Sequence, residues 1–450
     1  MTDIEHVPIF HPTIEQLENF EEYVDTIEPQ CKGYGGCKIV APSTWRARKG
    51  SYDDFGNTLV RDPVEQLVEG TGGVYQVVLL VKKSRTPVVF KEYARKNDVY
   101  DKQSDQQMEK LFWRTLKFNS PMYGADSAGS LFDDDIRPNC NHLDSVLTRG
   151  LAQKLPGINT PYLYFGSWKS LFAWHREDLD LYALNYLHSG MPKHWYIIPA
   201  DESEKLEKFV ARYYEDEFKQ CKQFMRHKTT LVHPNTLKKH GITVHKVVQR
   251  QNEFVITFPA AYHAGFNFGS NIAEAVNFAT KSWIEVGKAA LPCRCKPDTV
   301  KMDFDIFLEN LRIYDEAVKI RASGEHMALE HDRHNDSAST KSGDDDEEEE
   351  KSCLKIKAPK DALARTLEPA RRSVPKGKKG TTKKSSSKSP SASRKSALSG
   401  VKRMKGMTTP TSKSKAVGSD NKKKQKVEDE DSIALNRPKR RTNSTFARSQ

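Results

Sequence analysis

The chain has 450 residues, with 72 Lys and Arg against 60 Asp and Glu and a formal net charge of +12. That surplus is uneven: the first 330 residues hold 41 basic and 44 acidic side chains, about −3 net, the last 120 hold 31 and 16, about +15, and of the 6 Trp, 16 Tyr and 20 Phe only Phe446 lies beyond residue 330. Only the front can build a core, no run approaches the roughly 18 apolar residues of a membrane span, and Met1-Thr-Asp-Ile-Glu-His lacks the basic-then-apolar order of a secretory leader, so the chain reads as a soluble intracellular protein.

Residues 13–28 read as a short helix: Thr13 followed three later by Gln16 is a capping box, Leu17, Phe20, Val24 and Ile27 share one face, and Pro29 is expected to end it. A Gly-rich turn, Gly33-Tyr-Gly-Gly, leads into a strand-like stretch from Lys38 and on to Trp45. From about 50 to 120 the pattern is mixed, with one apolar run from Val74 to Val81 and a helix expected from Met108 to Phe118. Between about 155 and 285 short aromatic and β-branched runs recur between turn residues: Tyr162-Leu-Tyr-Phe, Tyr182-Ala-Leu-Asn-Tyr-Leu, Trp195-Tyr-Ile-Ile, Glu253-Phe-Val-Ile-Thr-Phe and Ala273-Glu-Ala-Val-Asn-Phe. Such runs favour a sandwich or barrel. Helical spacing returns from Met302 to Ala322 through Phe304, Phe307, Leu311, Tyr314 and Val318. Beyond 330 the periodicity is lost: Asp344 to Glu350 is a solid acidic block, and residues 351–420 carry 20 basic side chains against 3 acidic ones, a composition expected to be disordered.

Three constellations carry chemistry. In Ala173-Trp-His175-Arg-Glu177-Asp a strand would point His175 and Glu177 to the same side, and His263, in Ala261-Tyr-His-Ala-Gly-Phe-Asn after the strand Phe254 to Phe258, offers a third ligand from a neighbouring strand or its loop. Two imidazoles and one carboxylate with open positions opposite form the facial set of non-haem Fe(II) oxygenases. His-x-Glu alone recurs often by chance, and a lone His in an apolar strand is commonly a satisfied core residue. Asn185, at an even offset from Glu177, and Lys193, able to pair with the distal carboxylate of a dicarboxylic acid, strengthen the metal reading, although Lys193 by itself reads equally as a surface charge. Secondly, the seven cysteines are too few and uneven for a disulfide scaffold, but Cys221-x5-His227 and Cys293-x-Cys295 supply the ligand set of a closed structural zinc site. The alternative is two unrelated cysteine pairs. Thirdly, Lys422-Lys-Lys-Gln-Lys and Arg437-Pro-Lys-Arg-Arg have the form of a bipartite nuclear import signal, and the tail's charge suits non-specific contact with DNA, without the aromatics that base stacking needs.

The residues also carry a resemblance. Val7-Pro-Ile-Phe-His-Pro-Thr-Ile-Glu-Gln-Leu through Gly36-Cys-Lys-Ile-Val-Ala-Pro-Ser-Thr-Trp45 resembles a JmjN domain. Asn159-Thr-Pro-Tyr-Leu-Tyr-Phe-Gly-Ser-Trp, Phe172-Ala-Trp-His-Arg-Glu-Asp, Asn185-Tyr-Leu-His and Tyr262-His-Ala-Gly-Phe-Asn resemble the JmjC domain of the Jumonji-domain-2 histone lysine demethylases, and the likeness runs over roughly residues 7–315. It implies a mainly β fold with flanking helices, a jelly-roll or double-stranded β-helix core with JmjN packed alongside. The divisions expected are JmjN at 7–48, a mixed connecting region at 49–132, JmjC at 133–296, a helical segment at 297–330 and the acidic-then-basic tail at 331–450.

By the same resemblance His175, Glu177 and His263 hold Fe(II), Cys221, His227, Cys293 and Cys295 hold zinc, and Lys193 and Tyr123 grip the distal carboxylate of 2-oxoglutarate. Asn185 hydrogen-bonds that cofactor, Trp195 packs beside it, and Lys228 reaches the side that O2 approaches. The methylammonium lies against Gly157, Tyr164, Glu177, Ala275 and Asn277, where Ala275-Val276 replaces the Ser-Thr pair of several members. The implied reaction hydroxylates an N-methyl group of tri- or dimethyl-lysine on histone H3, at lysine 9 in preference to lysine 36, and yields formaldehyde, succinate and CO2. No reader module is recognisable after residue 330, so the chain looks like a short, nuclear, chromatin-associated member of the family. The competing readings are a JmjC protein hydroxylase and a non-catalytic chromatin-binding protein.

Overall fold

The computed structural model describes residues 5–99, 103–151, 153–295 and 300–323; the acidic block, the basic tail with its import signal, and Cys353 lie outside the described residues. The strands in chain order are β1 (Ile9–Phe10), β2 (Gly36–Val40), β3 (Val64–Thr71), β4 (Val74–Val81), β5 (Met122–Ala128), β6 (Tyr162–Gly166) and β7 (Leu171–His175). They continue with β8 (Tyr182–Gly190), β9 (Lys193–Ile198), β10 (Thr230–Val232), β11 (His245–Gln249), β12 (Glu253–Thr257), β13 (Tyr262–Asn267) and β14 (Asn271–Phe278).

Eight of these strands make two layers. One sheet contains β12-β8-β14-β6 in that order and the other is β11-β9-β13-β7, with antiparallel pairing throughout. The chain crosses from one layer to the other between β6 and β7, β7 and β8, β8 and β9, β11 and β12, β12 and β13, and β13 and β14. That is the jelly-roll order that the resemblance implies, a form of the sandwich that the short, turn-separated runs favour. The first sheet is extended on one side by β2 and β1 and on the other by β5, β3, β4 and β10, ten strands in all.

Helices cover the outer face of each layer, so the strands are buried on both sides and read as continuous apolar runs instead of alternating ones. Over the large sheet, Leu184, Tyr186, Phe254, Ile256, Val276 and Phe278 form a core with Leu17, Phe20, Val24 and Ile27 of the N-terminal helices, with Trp45, and with Trp283 and Phe307. Over the small sheet, Trp174, Tyr196 and Phe266 pack on Met108, Phe112, Leu206, Phe209 and Leu237; the Phe112 and Phe266 rings stack 3.8 Å apart. A smaller cluster, Trp195, Ile197 and Val247 of the small sheet with Val255 of the large one, fills part of the space between the layers, and the rest stays open.

A fully buried pair, His188 and Glu274, sits in the large sheet with Nε2 and Oε2 2.9 Å apart. Glu274 also accepts from Ser130 Oγ (2.7 Å) and Leu131 N–H (2.8 Å), which fastens the segment after β5 to β14.

Local detail departs from expectation in places. The helix anticipated over 13–28 is two, Ile14–Glu18 and Phe20–Cys31, because Asn19 (φ −87°, ψ 56°) leaves the helical region. The Thr13–Gln16 capping box forms, but Pro29 does not stop the second helix: it lies in the last turn, where it removes one hydrogen bond, and buried Ile27 and Cys31 hold that turn in place. The helix expected from Met108 begins at Asp105, capped by Ser104 and Gln107, and ends at Thr115, whose carbonyl accepts from buried Lys169 (3.0 Å). Gly35 (φ 70°) turns the chain against Pro199, whose Cα would lie 2.8 Å from a Cβ there. No helix among the described residues is long and apolar enough to cross a membrane.

Candidate functional site

Between the two layers lies a cavity of about 810 Å³. β7 and β13 are neighbours, and their register places His175 directly opposite His263, imidazole centroids 4.2 Å apart. The pairing then slips between His263 and Gly265. A side chain at 265 would meet the His194 carbonyl at 2.1 Å and the Phe172 ring at 2.4 Å, so glycine alone lets the strand through. β7 ends at His175, and Glu177 lies beyond it at the start of a short 3-10 turn, which corrects the expectation that one strand carries both. Its backbone is nonetheless extended (φ −67°, ψ 154°), so the period of two that aims residues 175 and 177 at one point survives. Glu177 Oε1 stands 3.1 Å from His263 Nε2 and 3.8 Å from His175 Nε2, and one ligand atom from each residue lies within 4.8 Å of the others.

His175 Nδ1 is 2.7 Å from the Ala173 carbonyl; Nδ1–H donates there and leaves the Nε2 lone pair facing Glu177. Burial, aided by the charge of Lys228, pushes His175 far below the usual imidazole range, so it is neutral as a ligand must be. Burial opposes ionisation of Glu177, but the hydrogen bond from His263 and the charge of Lys228 outweigh it and hold the carboxyl well below the usual carboxylate range. Two imidazole nitrogens and a carboxylate oxygen converging on one side of an open cavity fit a divalent metal with free coordination positions.

The deep end of the cavity is built for an anion. Lys193, 1 % exposed, sends its Nζ to Asn267 Oδ1 at 2.8 Å and lies 5.7 Å from the centroids of both Tyr123 and Phe172. Burial pushes this ammonium down to about 7. Among the described residues this buried cation has a neutral acceptor and no counter-charge, which a carboxylate would supply. Asn185, on β8 in the opposite layer, lines the same cavity with its Oδ1 unpartnered. The even offset from Glu177 did not put it there, because a 3-10 turn separates the two and Asn185 reaches the site from the other sheet. Trp195 donates its Nε1–H to Gln249 Oε1 (3.0 Å) and packs on Phe172, and Lys228, left-handed at φ 59°, follows the 3-10 helix Phe224–His227 into the cavity. The opposite wall holds Gly157, Tyr164, Ala275 and Asn277; Asn277 Nδ2 donates to the Tyr182 carbonyl (3.0 Å). Every site residue expected from sequence lines this cavity except Cys221 and Cys295.

Sequence reasoning missed Asn267, Gln249, Phe172 and Asp126. Asn267 was within reach, since 263, 265 and 267 alternate onto one side of β13. Asp126 (φ 56°) hydrogen-bonds Tyr164 and lines the cavity, but nothing local in the sequence marks it.

Beside this cavity Cys221, His227, Cys293 and Cys295 gather with one ligand atom each within 4.8 Å. Sγ of Cys221 and Cys293 are 3.7 Å apart, and His227 Nε2 is 3.3 Å from Cys293 Sγ. Burial and the neighbouring thiols push Cys221 up to about 11. Thiols so crowded ionise together only around a cation, and three thiolates with one imidazole fit tetrahedral zinc.

Comparison with known proteins agrees with this geometry. Residues 162–278 match the family described as "JmjC domain, hydroxylase" and residues 8–41 match "jmjN domain". The chain is 41% identical over 310 residues to lysine-specific demethylase 4B of Mus musculus, covering 67% of this chain and 28% of that protein. It is 40% identical over 313 residues to lysine-specific demethylase 4D of Rattus norvegicus, covering 68% and 61%. Against probable lysine-specific demethylase 4F of Homo sapiens it is 40% identical over 311 residues, covering 67% and 48%. The chain thus spans between about a quarter and three fifths of these relatives' lengths.

Proposed function

This chain belongs to the JmjN/JmjC family, alongside the lysine-specific demethylase 4 proteins, and from that premise we propose that it demethylates tri- and dimethyl-lysine on histone H3, lysine 9 before lysine 36, using Fe(II), 2-oxoglutarate and O2. The observation that carries this reading is the meeting, in one cavity, of a His175–Glu177–His263 ligand set and a buried Lys193 that lacks a counter-charge.

His175, Glu177 and His263 would hold the iron, and Lys193, Tyr123 and Asn185 would hold 2-oxoglutarate. When bound, that pair would activate O2, one oxygen atom ending in succinate as 2-oxoglutarate loses CO2 and the other in the N-methyl group, whose hydroxylated carbon would leave as formaldehyde. The chain's own part is positional. His175 presents Nε2 because its Nδ1–H is spent on the Ala173 carbonyl. Lys193, fixed by Asn267, anchors the far end of the dicarboxylate. Gly157, Tyr164, Ala275 and Asn277 shape a wall against which a methylammonium group would rest, and Lys228 brings positive charge to the remaining side. Cys221, His227, Cys293 and Cys295 would bind structural zinc. The basic tail suits nuclear import and loose contact with DNA, placing the enzyme on chromatin.

The test is incubation of the purified chain with iron, ascorbate and 2-oxoglutarate over a panel of methylated histone H3 peptides, read by mass spectrometry. Loss of methyl groups with release of formaldehyde supports the reading, and no turnover in metal-replete protein sinks it. A second reading, stable hydroxylation of a protein side chain, fits the description of the matched domain and the same cavity; it would show as a gain of one oxygen with every methyl group retained.

A further inference from the structure

The two candidate metal centres are joined by a buried pair that neither needs as a ligand. Arg226 lies in the 3-10 helix Phe224–His227, between Cys221 and His227 of the thiol cluster. Its guanidinium reaches away from that cluster: Nη2 is 2.7 Å from Asp180 Oδ1, and Nη1 donates to the backbone carbonyl of Glu177. The two side chains are 4 % and 7 % exposed. The same Glu177 carbonyl accepts the Asp180 N–H at 3.0 Å.

The turn held in this way does not hold itself. Leu179 and Asp180 are consecutive non-glycine residues in the left-handed region, φ 53° and 50°. Each is strained for a residue with a side chain and persists only where the surroundings over-determine it. Four contacts do so here: Arg226 on the Glu177 carbonyl, Arg226 and Arg176 each on the Asp180 carboxylate (Arg176 Nε at 3.3 Å), and Trp283 Nε1–H on the Leu179 carbonyl at 2.9 Å. This turn ends the extended stretch that aims the Glu177 carboxylate at His175 and His263.

We propose that Asp180 and Arg226 are positioning residues for the metal held by His175, Glu177 and His263, and that they couple the aim of Glu177 to the order of the thiol-bearing segment. The proposal rests on the metal reading above. Neither residue touches the metal, and each acts through Glu177. A helix of four residues has little stability of its own. Arg226 therefore delivers its two contacts in register only while Cys221 and His227, on either side of it, are tied down.

The test uses the full chain and manganese(II) as a redox-silent probe of the His-Glu-His site, its affinity read by electron paramagnetic resonance of the free ion. Zinc content and melting temperature are measured in parallel. Asp180→Asn and Arg226→Met should each weaken manganese binding at least tenfold while zinc stays at the wild-type level, and Arg226→Lys, able to keep one contact at a time, should fall between. The double variant Asp180→Asn/Arg226→Met should bind little worse than either single one, because the two act as a unit. Should Arg226→Met fail to fold, Asp180→Asn decides the matter, since it keeps the shape and the backbone hydrogen bond and removes only the charge. Manganese affinity within twofold of wild type in folded variants overturns the proposal. A wild-type chain that takes up no manganese, or takes it up equally well as His175→Ala, overturns the metal reading and the strut with it.

Discussion

Lys193 and Asn267 face each other across adjacent strands, and among the described residues the amide oxygen of Asn267, 2.8 Å from the ammonium, is the hydrogen-bond acceptor that holds it. Asn267 is fully buried, and its own amide group donates to Ser170 O (3.1 Å) and Oγ (2.9 Å), which fixes which end of the side chain meets the lysine. A neutral acceptor leaves the positive charge available to an incoming carboxylate. Asn267→Asp should therefore raise the KM for 2-oxoglutarate at least tenfold, because an internal ion pair would have to be broken on binding. An unchanged KM would show that Lys193 is not the anchor.

The charge state of Lys193 makes a pH prediction. Burial lowers its pKa from an ordinary value near 10.4 to about 7. Between these two values the unfolded chain keeps a proton that the folded chain has released. This residue's contribution therefore rises with pH across the window and is least favourable below pH 7, where a charged lysine stays buried. Lys193→Met should stabilise the fold at pH 6 by on the order of 2 kcal/mol, narrowing toward pH 9, while abolishing turnover. Denaturant titrations at both pH values check the sign, and a variant less stable at pH 6 refutes it.

His175→Ala should remove turnover while leaving the melting temperature within a few degrees. Among the described residues the imidazole meets the Ala173 carbonyl, Glu177, His263 and the edge of the Phe172 ring, and the large neighbour Trp174 keeps its own hydrogen bond to the Val232 carbonyl. Unfolding on this change would make the residue structural.

Removal of one thiol should act on the fold first. Cys293→Ser is expected to lose zinc in native mass spectrometry and to lower the melting temperature by about 4–5 °C, for a loss of about 3 kcal/mol in a folded part of this size. Zinc retained in full by the variant would mean that Cys293 is not a ligand.

Glu274→Ala tests the other buried charge. It leaves His188 Nε2, Ser130 Oγ and the Leu131 N–H without their acceptor, and should cost about 3–5 kcal/mol. A loss under 1 kcal/mol in chemical denaturation would show that the network reorganises.

How much of this was legible in the sequence depends on how local each signal was. His175 and Glu177 could be read because two residues in extended backbone point the same way, even though the strand itself stops at His175. His263 was singled out as a candidate ligand but not as part of a strand: Ala264 and Gly265 weaken the β pattern of Ala261-Tyr-His-Ala-Gly-Phe-Asn, and only the close passage over the His194 carbonyl explains why glycine is required. The apolar run Val74 to Val81 was visible and is β4; its partner β3, with Glu65, Gln66 and Glu69, was not. Asn185 does line the cavity, but the even offset is not the reason, since it arrives from the other layer. Asp180 and Arg226 lie 46 positions apart and carry no motif, so only the fold brings them together.

The pairing of β2 with β12 has a consequence for synthesis on the ribosome. Gly36–Val40 leaves the exit tunnel early, yet its antiparallel partner is Glu253–Thr257, and the other edge of β2 has only the two-residue strand β1. For most of translation the N-terminal segment therefore carries an unsatisfied strand and the apolar helix face of Leu17, Phe20, Val24 and Ile27 that completes the large core. Long-range pairing of this kind is slow and exposes aggregation-prone surface. Yield in a cell should accordingly depend more on chaperone supply and slow induction than on the stability of the finished fold.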